Sequence, residues 1–183
     1  MAKTTHLSIP FLILLATIFG CSKEDREIAY ANQESRIETF VENQKSSDEN
    51  IRVEYNNGVT RVVVSEGDGP DLTARGTVEF YYAGFNFSSG TINSSTLFAT
   101  NSSDLADAYN WNITDTTMFR PVRVNLSEDP LLEGLKRGLP GVREGEECYI
   151  LFSGKYAYGK HSAGTIPANA ALAFHILVTG VEN

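Results

Sequence analysis

The chain has 183 residues, 42% of them hydrophobic, and a formal charge of −8. That is enough apolar material for one ordinary core, and the length suits one domain or slightly more. The acidic balance argues against nucleic acid as a partner and against adhesion to anionic lipid through a basic patch.

The N-terminus reads MAKTTHLSIPFLILLATIFGCSKED. A lone positive charge, Lys3, precedes an uncharged run centred on residues 9–19, and Gly20 stands directly before Cys21. The run is too short to cross a hydrocarbon core of ~30 Å as a helix, and its layout is that of a secretory signal. The stretch IFGC resembles a bacterial lipobox, where cleavage occurs before a cysteine acylated on sulfur, with Phe19 a less usual residue at the middle position. The expectation is therefore a lipoprotein signal over residues 1–20, a lipid on Cys21, and residence at the bacterial cell envelope. The outer membrane is the expected site, on its periplasmic or surface side. An ordinary signal peptide with a coincidental cysteine is the alternative. The other cysteine is Cys148. In an exported protein a disulfide with Cys21 is conceivable, but Cys148 alternates with Ile150 and Phe152 along CYILF and reads as a buried free thiol.

Residues 21–50 are polar and charge-rich. Ile28, Ile37, Phe40 and Val41 make only a thin apolar stripe, so the segment reads as a tether, helical in part. EYNNGVTRVVV carries a hairpin signal at Asn56-Asn57-Gly58, which makes residues 51–66 a β-hairpin lead-in. The folded unit is expected to begin near Gly67 and run to residue 183. GTVEFYYAG, FRPVRVNL, EECYILFSG and ALAFHILVTGV read as strands, with Leu172, Phe174, Ile176 and Val178 on one face of the last. In EDPLLEGLKRGLPG, Asp129 suits an N-cap and Pro130 the first helical position, and Gly138 can end the helix. Antiparallel strands with one short helix predict an α+β domain, a curved sheet with the helix packed on it. Residues 86–118, rich in Ser, Thr and Asn, are expected to form a long connection, either a decorated loop with an aromatic tucked back or a flap.

The histidines are scattered: His6 in the signal, His161 in a loop and His175 on a strand. No metal cluster or Cys–His pair is evident, and no cofactor is expected.

Three segments together carry a family resemblance. GTVEFYYAGF, DPLLEGLKRGLPGVREGEECYILFSGKYAYG and GTIPANAALAFHILVTGV, in that order, resemble the FKBP-type peptidyl-prolyl isomerase domain over residues 67–183. The resemblance implies an antiparallel sheet wrapped around a short helix, with an aromatic-lined pocket that takes an X-Pro peptide and speeds its cis–trans isomerisation. It further implies site roles for Tyr82, Phe98, Leu132, Leu135, Tyr158, Ile166 and Phe174, with Val122, Leu131 and His161 around them. Three positions depart from the family pattern: Ala99 stands where aspartate is typical, Leu135 where tryptophan is frequent, and Val122 where many members have phenylalanine. Two functions remain open on this basis. One is a monomeric, membrane-anchored isomerase acting on proline-containing segments of exported proteins; the other is a non-catalytic binding module with the same pocket.

Overall fold

The computed structural model describes residues 23–112 and 116–183. The expected signal segment and Cys21 lie outside the described residues. Seven antiparallel strands form one sheet: β1 (Arg52–Asn56), β2 (Val59–Ser65), β3 (Thr77–Asn86), β4 (Leu97–Thr100), β5 (Val122–Asn125), β6 (Glu147–Phe152) and β7 (Leu172–Glu182). Their order is β1-β2-β6-β7-β3-β4. Strand β5 joins the first half of β3, whereas β4 joins its second half. Among the described residues, three α-helices complete the fold: α1 (Lys23–Ser47), α2 (Ser103–Ala108) and α3 (Glu133–Gly138).

Strand alternation divides the apolar residues into two cores. On the inner face, Val78 and Phe80 of β3, Cys148, Ile150 and Phe152 of β6, and Leu172, Phe174 and Ile176 of β7 pack with Leu135 and Leu139 from α3 and its end. Cys148 is a buried free thiol, as its strand position predicts. On the outer face, Ala83 and Phe85 of β3, Leu151 of β6 and Ala173 of β7 pack with Ile37 and Val41 of α1 and Leu105 of α2.

The outer core corrects two expectations. Residues 23–47 are not a tether but a 25-residue helix laid on the sheet, burying Tyr30, Gln33, Ile37 and Val41. Its stripe is thin because only one narrow ridge touches the sheet, and part of that contact is polar. The connection 86–118 is not a bare loop either. It supplies β4 and α2, the latter capped by Ser102 Oγ accepting from the Leu105 amide at 3.2 Å. The tucked aromatic is Tyr109, whose ring lies 4.7 Å from that of Phe85.

The hairpin turns at Asn57 (φ 51°) and Gly58 (φ 86°), a two-residue loop of the kind that favours Asn-Gly. It is not a lead-in, because β2 pairs with β6 from Val59 to Ser65 and so belongs to the central sheet. Beneath α3, the buried Arg61 Nη1 donates to the Gly138 and Pro140 carbonyls at 3.0 and 2.8 Å. Its Nε lies 3.5 Å from the carboxylate of the fully buried Glu146. An ion pair thus closes the C-terminal end of the short helix, where carbonyls lack intrahelical partners.

Candidate active site

A cavity of about 300 Å³ opens on the inner face between the sheet and the start of α3. Phe80 and Tyr82 of β3, Phe98 of β4, Val122 and Val124 of β5, and Phe174 of β7 line it from the sheet. Pro130, Leu131, Leu132 and Leu135 close it from the α3 side, and Tyr158 stands at its rim. Among the described residues, the lining holds no charged side chain.

The walls follow from local sequence. Val78, Phe80 and Tyr82 share a face because strand side chains alternate. Opposite them, Phe98 falls where the β3–β4 register shifts between Gly84 and Phe85. Gly84 makes the close approach possible: a Cβ there would lie 2.6 Å from Phe98 Cζ and 3.1 Å from Phe174 Cε1. The Phe98 and Phe174 rings then meet edge to face at 6.0 Å. Tyr82 is held through its backbone. Its N–H donates to Asn101 Oδ1 at 2.6 Å, and its carbonyl accepts from Thr100 Oγ1 at 2.7 Å. The Asn101 amide nitrogen donates onward to the carbonyls of Phe80 and Arg120. The buried Asn101 was not singled out in the sequence. It stands one threonine after the apolar run Leu97-Phe98-Ala99, in a segment expected to be a loop.

The entry to α3 differs from expectation. Asp129 does not cap the helix; its carboxylate accepts from the Asn125 N–H at 2.8 Å and closes the turn after β5. Pro130 and Leu131 therefore run non-helically over the cavity, and the cap position falls on Leu132 (φ −56°, ψ 138°) with no side-chain cap. The Leu132 N–H has no partner among the described residues.

The loop after β6 separates its tyrosines. Tyr156 packs against the β1–β2 turn, with the Arg137 guanidinium 4.6 Å above its ring. Tyr158 is 36% exposed and lines the cavity. The Tyr82 and Tyr158 hydroxyls make no hydrogen bond among the described residues. Burial, with a smaller contribution from Tyr158, pushes the Tyr82 phenol above its ordinary pKa. Helix α1 braces the base of this loop. The buried Gln33 accepts from the Gly154 N–H at 2.9 Å and donates to the Asn169 carbonyl at 2.7 Å, while Tyr30 Oη donates to Asn169 Oδ1 at 2.8 Å.

Among the sequence candidates, the structure gathers Tyr82, Phe98, Val122, Leu131, Leu132, Leu135, Tyr158 and Phe174 around one cavity. Ile166 and His161 do not line it. Ile166 is buried on the far side of Phe98, lining the neighbouring groove. His161 is exposed, and its N–H donates to the Tyr158 carbonyl at 3.1 Å. Ala99 pairs with Gly84 across β3–β4 and is absent from the lining. Phe80, Val124 and Pro130 were missed, although strand alternation places Phe80 beside Tyr82 and Val124 beside Val122.

Comparison with known proteins agrees with this architecture. The family model for FKBP-type peptidyl-prolyl cis-trans isomerases matches residues 73–179, and the chain belongs to that family. It is 25% identical over 119 residues to FK506-binding protein 1 of Aspergillus oryzae, covering 65% of this chain and 94% of the relative. Among solved structures, the fold is similar to a peptidyl-prolyl cis-trans isomerase from Pseudomonas syringae pv. tomato, with a TM-score of 0.55 and 21% identity over 86% of this chain and 96% of that one. FkpA from Escherichia coli matches with a TM-score of 0.55 and 19% identity, over 87% of this chain and 63% of its own. Coverage of 86% exceeds what residues 51–183 could supply, so the likeness of fold reaches back past the hairpin into the segment that holds α1.

Proposed function

We propose that the chain is a lipid-anchored peptidyl-prolyl cis-trans isomerase that binds X-Pro segments of exported proteins in the inner-face cavity. One observation carries the reading: an uncharged apolar cavity with unpartnered hydrogen-bond donors at its edge, the Leu132 amide and the Tyr158 hydroxyl. Rotation about a peptide bond costs ~18–20 kcal/mol because the amide loses its resonance. An uncatalysed X-Pro bond takes about 10–100 s. The twisted amide has less charge separation than the planar one. Transfer from water into an apolar site therefore penalises the ground state more than the transition state, and the difference is catalysis. Donors that hold the flanking carbonyls fix the peptide while the amide turns. No nucleophile or metal is needed for this step.

Ala99, where the family typically has aspartate, and Leu135, where tryptophan is frequent, favour a second reading, a binding module that holds such segments without turning them over. Measuring cis–trans exchange of a Leu-Pro peptide by magnetisation transfer separates the two. Exchange accelerated in proportion to protein supports the enzyme; tight binding with unchanged exchange overturns it. The anchor and the localisation belong to the same proposal and rest on the IFGC motif and the signal-like N-terminus. Cys21→Ala should shift the protein out of the membrane fraction. Unaltered partitioning and processing would contradict the anchor.

A further inference from the structure

The apolar cavity does not end at Phe98. That ring is also a wall of an adjoining groove of about 500 Å³, bounded by the β3–β4 connection and by Thr165 and Ile166. We propose that this groove is a second subsite, which takes uncharged polar residues flanking the substrate proline, so that the protein recognises an extended segment rather than an isolated X-Pro pair. The proposal rests on the reading of the neighbouring cavity as the X-Pro site.

The chemistry of the two spaces differs sharply across one ring. The groove presents hydroxyls and amides, from Asn86, Ser88, Ser95 and Thr96 and from Thr165, and no charged side chain. Some of these groups are already used: Thr96 Oγ1 donates to the Thr91 and Asn93 carbonyls, and Ser95 Oγ to Asn93 Oδ1. Others are free. Ser88 Oγ, Thr165 Oγ1 and Asn86 Nδ2 have no partner among the described residues. An extended peptide brings a carbonyl at every residue that needs a donor once water is displaced. Polar side chains on that peptide find hydroxyls, whereas an ionised one would lose hydration without meeting a counter-charge.

The groove is preorganised. Arg36 Nη1 on α1 donates to the Ser88 carbonyl at 2.7 Å, the Phe87 N–H to the Ala171 carbonyl at 2.8 Å, and the Asn86 N–H to the Thr96 carbonyl at 2.8 Å. A wall held at both ends loses little freedom when a ligand arrives. A chain already seated in the apolar cavity reaches the groove as an intramolecular event.

The test uses the full chain and labelled peptides with a common Leu-Pro core, read by fluorescence anisotropy and by cis–trans exchange. The core is compared with versions lengthened on either side by Ser-Asn-Ser-Asn or by the net-neutral Lys-Glu-Lys-Glu. On one side, the Ser-Asn extension should lower Kd by about tenfold, the scale of one or two ordinary hydrogen bonds, and the Lys-Glu extension should not. The Ser88→Ala/Thr165→Ala double variant should lose that gain while binding and turnover of the short core stay as in the parent. No gain from Ser-Asn on either side, an equal gain from Lys-Glu, or equal weakening of short and long peptides in the double variant would overturn the subsite. Binding of the core without accelerated exchange would instead remove the isomerase reading, with the Kd series still deciding the groove.

Discussion

The two faces of the sheet are built by different means. The inner face is a continuous apolar layer whose charged residues, Arg61 and Glu146, are paired beneath the end of α3, and it leaves a cavity open where α3 begins. The outer face is covered by α1 and α2, and it contains a chain of polar contacts. His175 Nε2 lies 2.8 Å from the Glu147 carboxylate, which can only accept, so that nitrogen carries the hydrogen. Its Nδ1 then accepts from Tyr109 Oη at 3.0 Å, and Tyr149 Oη lies 3.2 Å from Tyr109 Oη. Polar groups on the outer face find partners in one another. At the inner cavity the Leu132 N–H and the Tyr158 hydroxyl have no partner among the described residues, the contrast on which the proposed peptide site rests.

Breaking each face separately should sharpen this contrast. The largest expected effect is on the inner ion pair. Arg61→Met leaves the buried Glu146 with only the more distant Arg52 Nη2, 3.8 Å away, and should cost about 3–5 kcal/mol of stability in denaturant titration, much of it recovered by adding Glu146→Leu. Ile37→Ala should cost about 2–5 kcal/mol, since Ile37 is 3% exposed within the outer core. A tether would show no loss. Gln33→Leu strands the Gly154 N–H and the Asn169 carbonyl and should cost about 1–3 kcal/mol. It should also raise hydrogen exchange across residues 153–169, because that loop loses its brace.

The smallest effect is a pH dependence. Burial holds the His175 pKa below its ordinary value, with Glu147 partly opposing. The unfolded chain then binds the proton more readily than the native one. The stability from this site is complete above the unfolded pKa of about 6.5 and is lost as pH falls toward the folded value. Thermal midpoints should therefore decline between pH 7.5 and pH 5.5, and less steeply in His175→Gln. Parallel declines would show that His175 does not set the slope.

The same contrast explains what could be read in the sequence. Strands β3, β6 and β7 announce themselves by alternation, and Tyr82, Leu132, Tyr158 and Phe174 converge because those strands and the Asp129–Gly138 stretch carry strong local signals. The outer layer has no such period. Only four side chains of the 25-residue α1 are buried, and two of these, Tyr30 and Gln33, make polar contacts with a loop more than 130 residues away. A helix held that way looks like a linker in one dimension. The short β4 and α2 fail for a related reason, since Ser- and Asn-rich composition hides a single cap at Ser102 and a single anchor at Tyr109. Asp129 misled in the opposite sense: its sequence position suits an N-cap, yet the turn after β5 claims the carboxylate first.

The central claim, that the inner cavity is a peptide site and not a packing defect, is tested most directly at Tyr158. Tyr158→Phe keeps the ring and removes one hydroxyl that has no partner among the described residues. The thermal midpoint should stay within error of the parent, while affinity for a Leu-Pro peptide falls by about 0.5–1.5 kcal/mol, the value of an ordinary hydrogen bond. A variant that loses stability while binding the peptide as tightly as before would contradict the account.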